Sequence, residues 1–306
     1  MTLTPTELVA NAMVDVSQFE TEFRDGKLVA VGTALRERVA ELVAEGDGLA
    51  LCSGVAALLA SHGLDISVEA DAAIGRDYLE SVFRDFAASA DVASHTPVVM
   101  GYDQVAAMDV DGFNKNTSFT PNSDHTESRE FLTTKCVHFD AATTFIGNVY
   151  GPNTNINGGQ PIVCNTRDFL AQSGIAPGEL IELMPHSYNV AVKEEYSQAI
   201  LADHAASVEI DLSKDMVMVV LNNEVDGGLA HAGSAPSLAD PSKPGKRPLR
   251  HIELQFEDGS NLGTWYEHYG LDMPQVKMSV PERDAADFDR YHRGVDELMS
   301  SATSQS

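Results

Sequence analysis

The 306-residue chain carries 46 acidic against 20 basic residues, a formal charge of −26, and is 43% hydrophobic. A surface of that sign repels nucleic acid and anionic membranes, and the apolar fraction is ordinary for a globular protein with a real core. No apolar run reaches the roughly 18 residues that a membrane span needs, no basic segment leads an apolar one at the N-terminus, and the three scattered cysteines, Cys52, Cys136 and Cys164, read as reduced thiols of a cytoplasmic protein.

The first hundred residues read as helical. Between Gly32 and Gly46, Leu35, Val39, Leu42 and Val43 fall on one face at helical spacing, and over 71–90 Ile74, Tyr78, Leu79, Val82, Phe83 and Phe86 do the same. The apolar, glycine-bearing segment LALCSGVAALLASHGL between them fits either helix or strand. From about Val98 the texture changes, and the polar stretch over 109–130 reads as a long loop of the kind that often serves as a lid. Short candidate strands follow at 131–139, 145–150, 161–164, 179–184, 189–192, 208–212, 216–221 and 250–256, many of them separated by glycine, proline or asparagine. A last helix is expected over 281–299, and the SSATSQS end reads as disordered. The expected organisation is one domain, mainly β with flanking α: a helical support region over 1–97, a β-rich core over 98–260 and a C-terminal extension over 261–306.

Val137-His138-Phe139-Asp140 is the strongest local signal for chemistry. Residues i and i+2 of a strand project to one face, so His138 and Asp140 can reach one ion while Phe139 points away. An imidazole and a carboxylate suit a borderline divalent metal, and a second histidine would complete a facial triad with three open positions. Read alone, an HxD is as compatible with a hydrogen-bonded histidine beside a turn carboxylate. His231, in GGLAHAG after the strand-like DMVMVVLNN, is the preferred third ligand, and His186, in MPHSYN, is its competitor. His125, His204 and His268 sit in polar surroundings that suit solvated side chains.

The stretch after His231 decides between them. In KPGKRPLRHIELQFEDG, Ile252, Leu254 and Phe256 alternate with His251, Glu253 and Gln255, and Arg250 is in phase with the apolar set, which points it inward. A buried guanidinium needs an anion, either one of the many carboxylates of the chain or a dicarboxylate ligand held bidentately. Arg247 is the alternative clamp or a second one. Thr134, Asn148 and Tyr150 are candidate substrate contacts, with turn closure as the plainer role, and GPNTNINGG is either a mobile loop at the site or a connection.

An HxD, a distal histidine and an arginine on the next strand, in that order between Phe131 and Phe256, resemble the iron(II)/2-oxoglutarate-dependent oxygenase superfamily, and most of all its small-molecule tailoring enzymes. The resemblance implies a double-stranded β-helix (a cupin-like jelly roll) with an N-terminal helical layer outside it. It implies His138, Asp140 and His231 as iron ligands, Arg250 or Arg247 on the distal carboxylate of the cosubstrate 2-oxoglutarate, and O2 as co-reactant. Related halogenases carry a small residue at the carboxylate position, so Asp140 favours hydroxylation, desaturation or ring formation. The expected substrate is a small polar metabolite, such as an amino acid or an amino-acid-derived natural-product intermediate. No nucleic-acid or membrane partner is expected, and a homodimer stays open. The alternatives are a cupin-like metal-dependent isomerase or hydrolase that uses no 2-oxoglutarate, and a non-catalytic β-roll that binds a ligand.

Overall fold

The computed structural model describes residues 3–89, 97–109, 112–116, 137–141, 143–183, 189–234, 237–256 and 262–272. Thr134, His125, His186, Cys136 and the helix expected over 281–299 lie outside them.

The N-terminal region mixes helices with strands. Thr4 and Glu7 form a reciprocal capping box at the start of α1 (Pro5–Asn11). Next come β1 (Met13–Asp15), the hairpin β2 (Thr21–Arg24) and β3 (Lys27–Ala30), α2 (Ala34–Val43), β4 (Leu49–Ser53), α3 (Val55–Ser61) and α4 (Glu69–Ser89). The helical spacings are met: Leu35, Val39 and Val43 of α2 are buried, as are Tyr78, Leu79, Val82, Phe83 and Phe86 of α4. The ambiguous LALCSGVAALLASHGL divides into β4 and α3, and Asp215 accepts from the N–H groups of Gly54 and Ala56 at the junction, both at 2.8 Å. Every residue of β4 is buried, so its sequence lacks the alternation that marks a half-buried strand.

After the hairpin β5 (Pro97–Asp109) and β6 (Gly112–Asn116) come β7 (His138–Phe139), β8 (Phe145–Tyr150), β9 (Ile156–Asn157), β10 (Pro161–Cys164), α5 (Thr166–Ser173), α6 (Pro177–Leu180) and β11 (Ile181–Leu183). The remainder is β12 (Val190–Val192), α7 (Glu194–Asp203), β13 (Ala205–Ser207), β14 (Val217–Asn222), β15 (Ala230–Gly233), β16 (Ser237–Leu238), β17 (Gly245–Phe256) and α8 (Leu262–His268). Three expectations are corrected. The start of the expected long loop is strand β6, paired back onto β5. The segment over 208–212 is not a strand: Val208 and Leu212 are buried, but the backbone passes into the Asp211–Lys214 turn instead of a ladder. The segment over 179–184 opens on the last turn of α6 before β11 begins.

Two sheets carry the architecture. A seven-stranded sheet runs β1-β4-β14-β8-β17-β5-β6, with β1–β4 its parallel pair, and a six-stranded antiparallel sheet runs β11-β12-β7-β15-β10-β13. One face of the larger sheet, with Cys52, Met218, Val220, Phe145, Val149 and Ile252, packs on α2, α3 and α4. The opposite face, with Leu49, Leu51, Ile146, Val217 and Val219, meets Val163 of the smaller sheet. The far side of the smaller sheet, with Phe139, Cys164, Val190, Ala230 and Ala232, packs on residues of α5, α7 and α8. Phe83, Phe86 and Tyr78 are fully buried, and burial of such a side chain is worth about 1.5–3 kcal/mol. Gly147 of β8 lets α4 come this close: a Cβ there would lie 2.7 Å from the Phe83 ring. Among the described residues no helix is long and apolar enough to cross a membrane.

Candidate metal centre

His138 and His231 are directly opposed partners where β7 pairs with β15, and Val163 is the partner of His231 on β10. Strand alternation does the positioning. Phe139, Ala230 and Ala232 turn into the apolar layer behind the smaller sheet, and the two imidazoles turn toward the space between the sheets, with ring centroids 4.1 Å apart. Asp140 follows at the end of β7. One donor atom from each of His138, Asp140 and His231 lies within 4.8 Å of the others, and all three residues are buried.

Asparagines missed in the sequence hold the carboxylate. Asn223, one residue beyond β14, donates to the carbonyls of Asp140 (2.7 Å) and Thr143 (2.9 Å), and its Oδ1 accepts from the Asp140 N–H (3.2 Å). Asn189 donates to Asp140 Oδ1 at 2.5 Å and accepts from the Ala141 N–H. With Oδ1 engaged, Oδ2 is buried without a hydrogen bond and lies 3.5 Å from His231 Nε2. Burial alone would raise the Asp140 pKa, but His251, His231 and His138 together with the Asn189 hydrogen bond outweigh it and hold the carboxyl ionised below its usual range. Burial, reinforced by His138, pulls His231 down to about 3 despite the opposing pull of Asp140, so its ring is neutral with a lone pair to give. Two imidazoles, that of His231 kept neutral by burial, and an ionised carboxylate with an orphaned oxygen are a donor set that fits a divalent transition metal.

The two arginines of β17 lie on opposite faces. Arg250 does point with the apolar set, but that set faces the helices: its cross-strand partner is Val149, Ile252 lies in the α4 layer, and its guanidinium meets Asp77 (2.6 Å) and Glu80 (3.1 Å) of α4. Arg247 takes the other face, with Leu249 and His251. It is 6% exposed, donates to the Gly159 carbonyl at 3.3 Å, and its Nε has no partner. Among the described residues no carboxylate pairs with it, and burial pulls its pKa below the ordinary arginine value. Tyr150, the neighbour across from Leu249, feels the charges of both this arginine and Asp140: burial pushes its phenol up to about 12, with Arg247 pulling against that and Asp140 adding to it. Asn148 lies opposite His251, Oδ1 to Nδ1 at 2.5 Å, and His251 Nε2 is 4.0 Å from Asp140 Oδ2.

GPNTNINGG is a fastened strap. Asn155 donates to the carbonyls of Asp240, Lys243 and Pro244 and accepts from the Asp240 N–H, β9 pairs with β16, and the Gly159 carbonyl reaches Arg247. His204 and His268, read as solvated, are placed away from the triad, at the ends of α7 and α8.

No protein-family model and no curated protein matches the chain. Among solved structures it is similar to a bsmA homolog from Methylobium petroleophilum PM1, at 10% identity and a TM-score of 0.30 over 74% of this chain and 94% of that one. It is also similar to the iron and alpha-ketoglutarate-dependent endoperoxidase NvfI, at 10% identity and a TM-score of 0.34 over 69% of this chain and 79% of that one. A second conformation of NvfI aligns at 11% identity and the same TM-score over 75% and 85%. Likeness this loose assigns nothing.

Proposed function

We propose that this protein is an iron(II)- and 2-oxoglutarate-dependent oxygenase with a double-stranded β-helix core that oxidises a C–H bond of a small polar metabolite, such as an amino acid or a molecule derived from one. The observation that carries the proposal is Arg247: a buried guanidinium with no carboxylate partner among the described residues, on the strand face it shares with the triad's neighbour His251. Such a charge is costly to bury unless an anion comes to it. A 2-oxo dicarboxylate answers both ends, one carboxylate for Arg247 and a 2-oxo acid group for the metal.

His138, Asp140 and His231 would hold the iron, which when bound supplies oxygen activation coupled to decarboxylation of the 2-oxo acid. The protein's own part is orientation and exclusion. Arg247 takes the distal carboxylate by charge-assisted hydrogen bonds, and the Tyr150 hydroxyl, protonated at neutral pH, is available as a further donor. Asn189 keeps Asp140 Oδ1 occupied and so presents Oδ2. Ile146, Val163, Val217 and Val219 keep water out of the space between the sheets. With Asp140 in the carboxylate position, hydroxylation, desaturation or ring formation is the proposed outcome, not halogenation.

Anaerobic addition of iron(II) and 2-oxoglutarate tests the proposal. We expect a weak visible charge-transfer band, and then succinate release driven by one member of a panel of amino acids and related metabolites. An iron-loaded, folded protein without that band would favour a metal-dependent isomerase or hydrolase and sink the oxygenase reading.

A further inference from the structure

Arg247 has a second orphan opposite it. Thr154 and Lys246 exchange both backbone hydrogen bonds, each N–H reaching the other's carbonyl at 2.8 Å. In an antiparallel ladder the next pair along carries no such bonds, its Cα atoms come to about 4.5 Å, and its side chains approach most closely. Here that pair is Asn153 and Arg247, and the Asn153 N–H accordingly turns away from β17, to the Leu212 carbonyl. Alternation leaves Thr154 and Lys246 exposed and puts Asn153 and Arg247 inside, each 6% exposed. Tyr150 and Leu249, of the layer between the sheets, share that face. Asn153 Oδ1 and Arg247 Nε are both buried without a hydrogen bond among the described residues, to each other or to anything else. A half-turn of the amide exchanges its oxygen and its NH2 within the same volume. So turned, Asn153 stands beside Arg247 as a second donor, and the two oxygens of one carboxylate can accept from both. An aspartate of the same shape would pair the guanidinium within the protein, whereas the amide leaves the charge in need of an anion.

We propose that Asn153 is a specificity-determining residue of the Arg247 site: its amide donates to the carboxylate that the guanidinium binds, and the pair selects a 2-oxo acid that carries a carboxylate at its far end. The inference deepens the proposed function and rests on the anion-binding half of it. Selectivity arises because a 2-oxo acid with a methyl end leaves both buried donors unpaired. The strap thereby meets Arg247 at two points: Asn153 shares its ligand, and Gly159 lends it a carbonyl.

The test uses the full chain loaded with manganese(II), titrated in a calorimeter with 2-oxoglutarate and with 2-oxobutanoate, which has the same 2-oxo acid head and no distal carboxylate. Asn153→Leu should weaken 2-oxoglutarate by about three- to tenfold, the factor one hydrogen bond carries, and leave 2-oxobutanoate within about twofold. Unchanged 2-oxoglutarate affinity would overturn the proposal, and so would an equal loss for both acids, which is what a packing role predicts. Asn153→Asp adds a readout that needs no ligand. By giving the buried guanidinium a carboxylate it should raise the melting temperature of the metal-free protein by about 2–4 °C and weaken 2-oxoglutarate more than Asn153→Leu does. A lower melting temperature in Asn153→Asp would mean that the side chain does not face Arg247, and would overturn the proposal as well. A wild-type chain that binds neither acid would sink the cosubstrate reading itself, whereas binding that ignores position 153 would overturn this inference alone.

Discussion

At the scale of single residues, β17 carries two arginines three positions apart that face opposite sides of the sheet, and substitution tests the role proposed for Arg247 against that of Arg250. Arg247→Ala should raise the KM for 2-oxoglutarate by about ten- to a hundredfold, the loss expected when a carboxylate forfeits a charge-assisted partner worth about 1.5–3 kcal/mol. Arg250→Ala should leave that KM within about twofold and lower stability by about 1 kcal/mol, because its partners Asp77 and Glu80 keep contact with solvent. Steady-state succinate assays and urea titrations check the pair. The triad makes an acid-side prediction as well. Unfolded, His231 takes up a proton near its ordinary 6.5, whereas folded it resists down to about 3. Across that window the unfolded chain binds more protons, so stability of the metal-free protein falls as pH drops from about 6.5 toward about 3. Asp140, with its folded pKa below 3.8, extends the loss at the acid end. A urea midpoint lower at pH 5 than at pH 7, with the difference reduced in His231→Gln, is the expected result.

Among the elements, helices were the most legible. The 3.6-residue period of α4 is written in its apolar residues, and the HxD strand predicted correctly that His138 and Phe139 part company. Strands buried on both faces were the least legible. β17 has apolar helices against one face and the space between the sheets against the other, so the even positions looked interior and His251 looked like a solvent-facing residue. Asn189 and Asn223 could not be found from local pattern, because they reach Asp140 across 49 and 83 positions of chain. Asn223→Ala should remove the three hydrogen bonds that shape the turn after β7 and weaken metal binding about ten- to a hundredfold, measured by competition with a chromophoric chelator. Gly147→Ala tests the approach of α4. A methyl 2.7 Å from the Phe83 ring forces helix and strand apart, for a loss of about 1–3 kcal/mol in denaturant.

For the molecule as a whole, the proposed ligands come from both sheets: His138, Asp140 and His231 belong with the smaller one, and Arg247 and Tyr150 with the larger. Metal and cosubstrate together would therefore tie the sheets to each other. A metal that binds only the folded chain, present at a hundred times its dissociation constant, adds about 2.7 kcal/mol, or roughly 5 °C in a protein of this size. Manganese(II) should raise the melting temperature by about that amount, 2-oxoglutarate should raise it further only when the metal is present, and His138→Ala should abolish both shifts in a calorimetric scan. β17 also decides how the protein tolerates changes of length. Positions 247 and 251 face the space between the sheets, and positions 250 and 252 face the helices, so the strand is read in steps of two. An insertion of one residue before Arg247 that shifted the strand along its neighbours would exchange the two sides and lay the Asp77 and Glu80 partner beside the histidines. An insertion of two would shift every side chain yet keep each on its own side, which makes parity, more than length, the quantity to preserve in any redesign of this edge of the site.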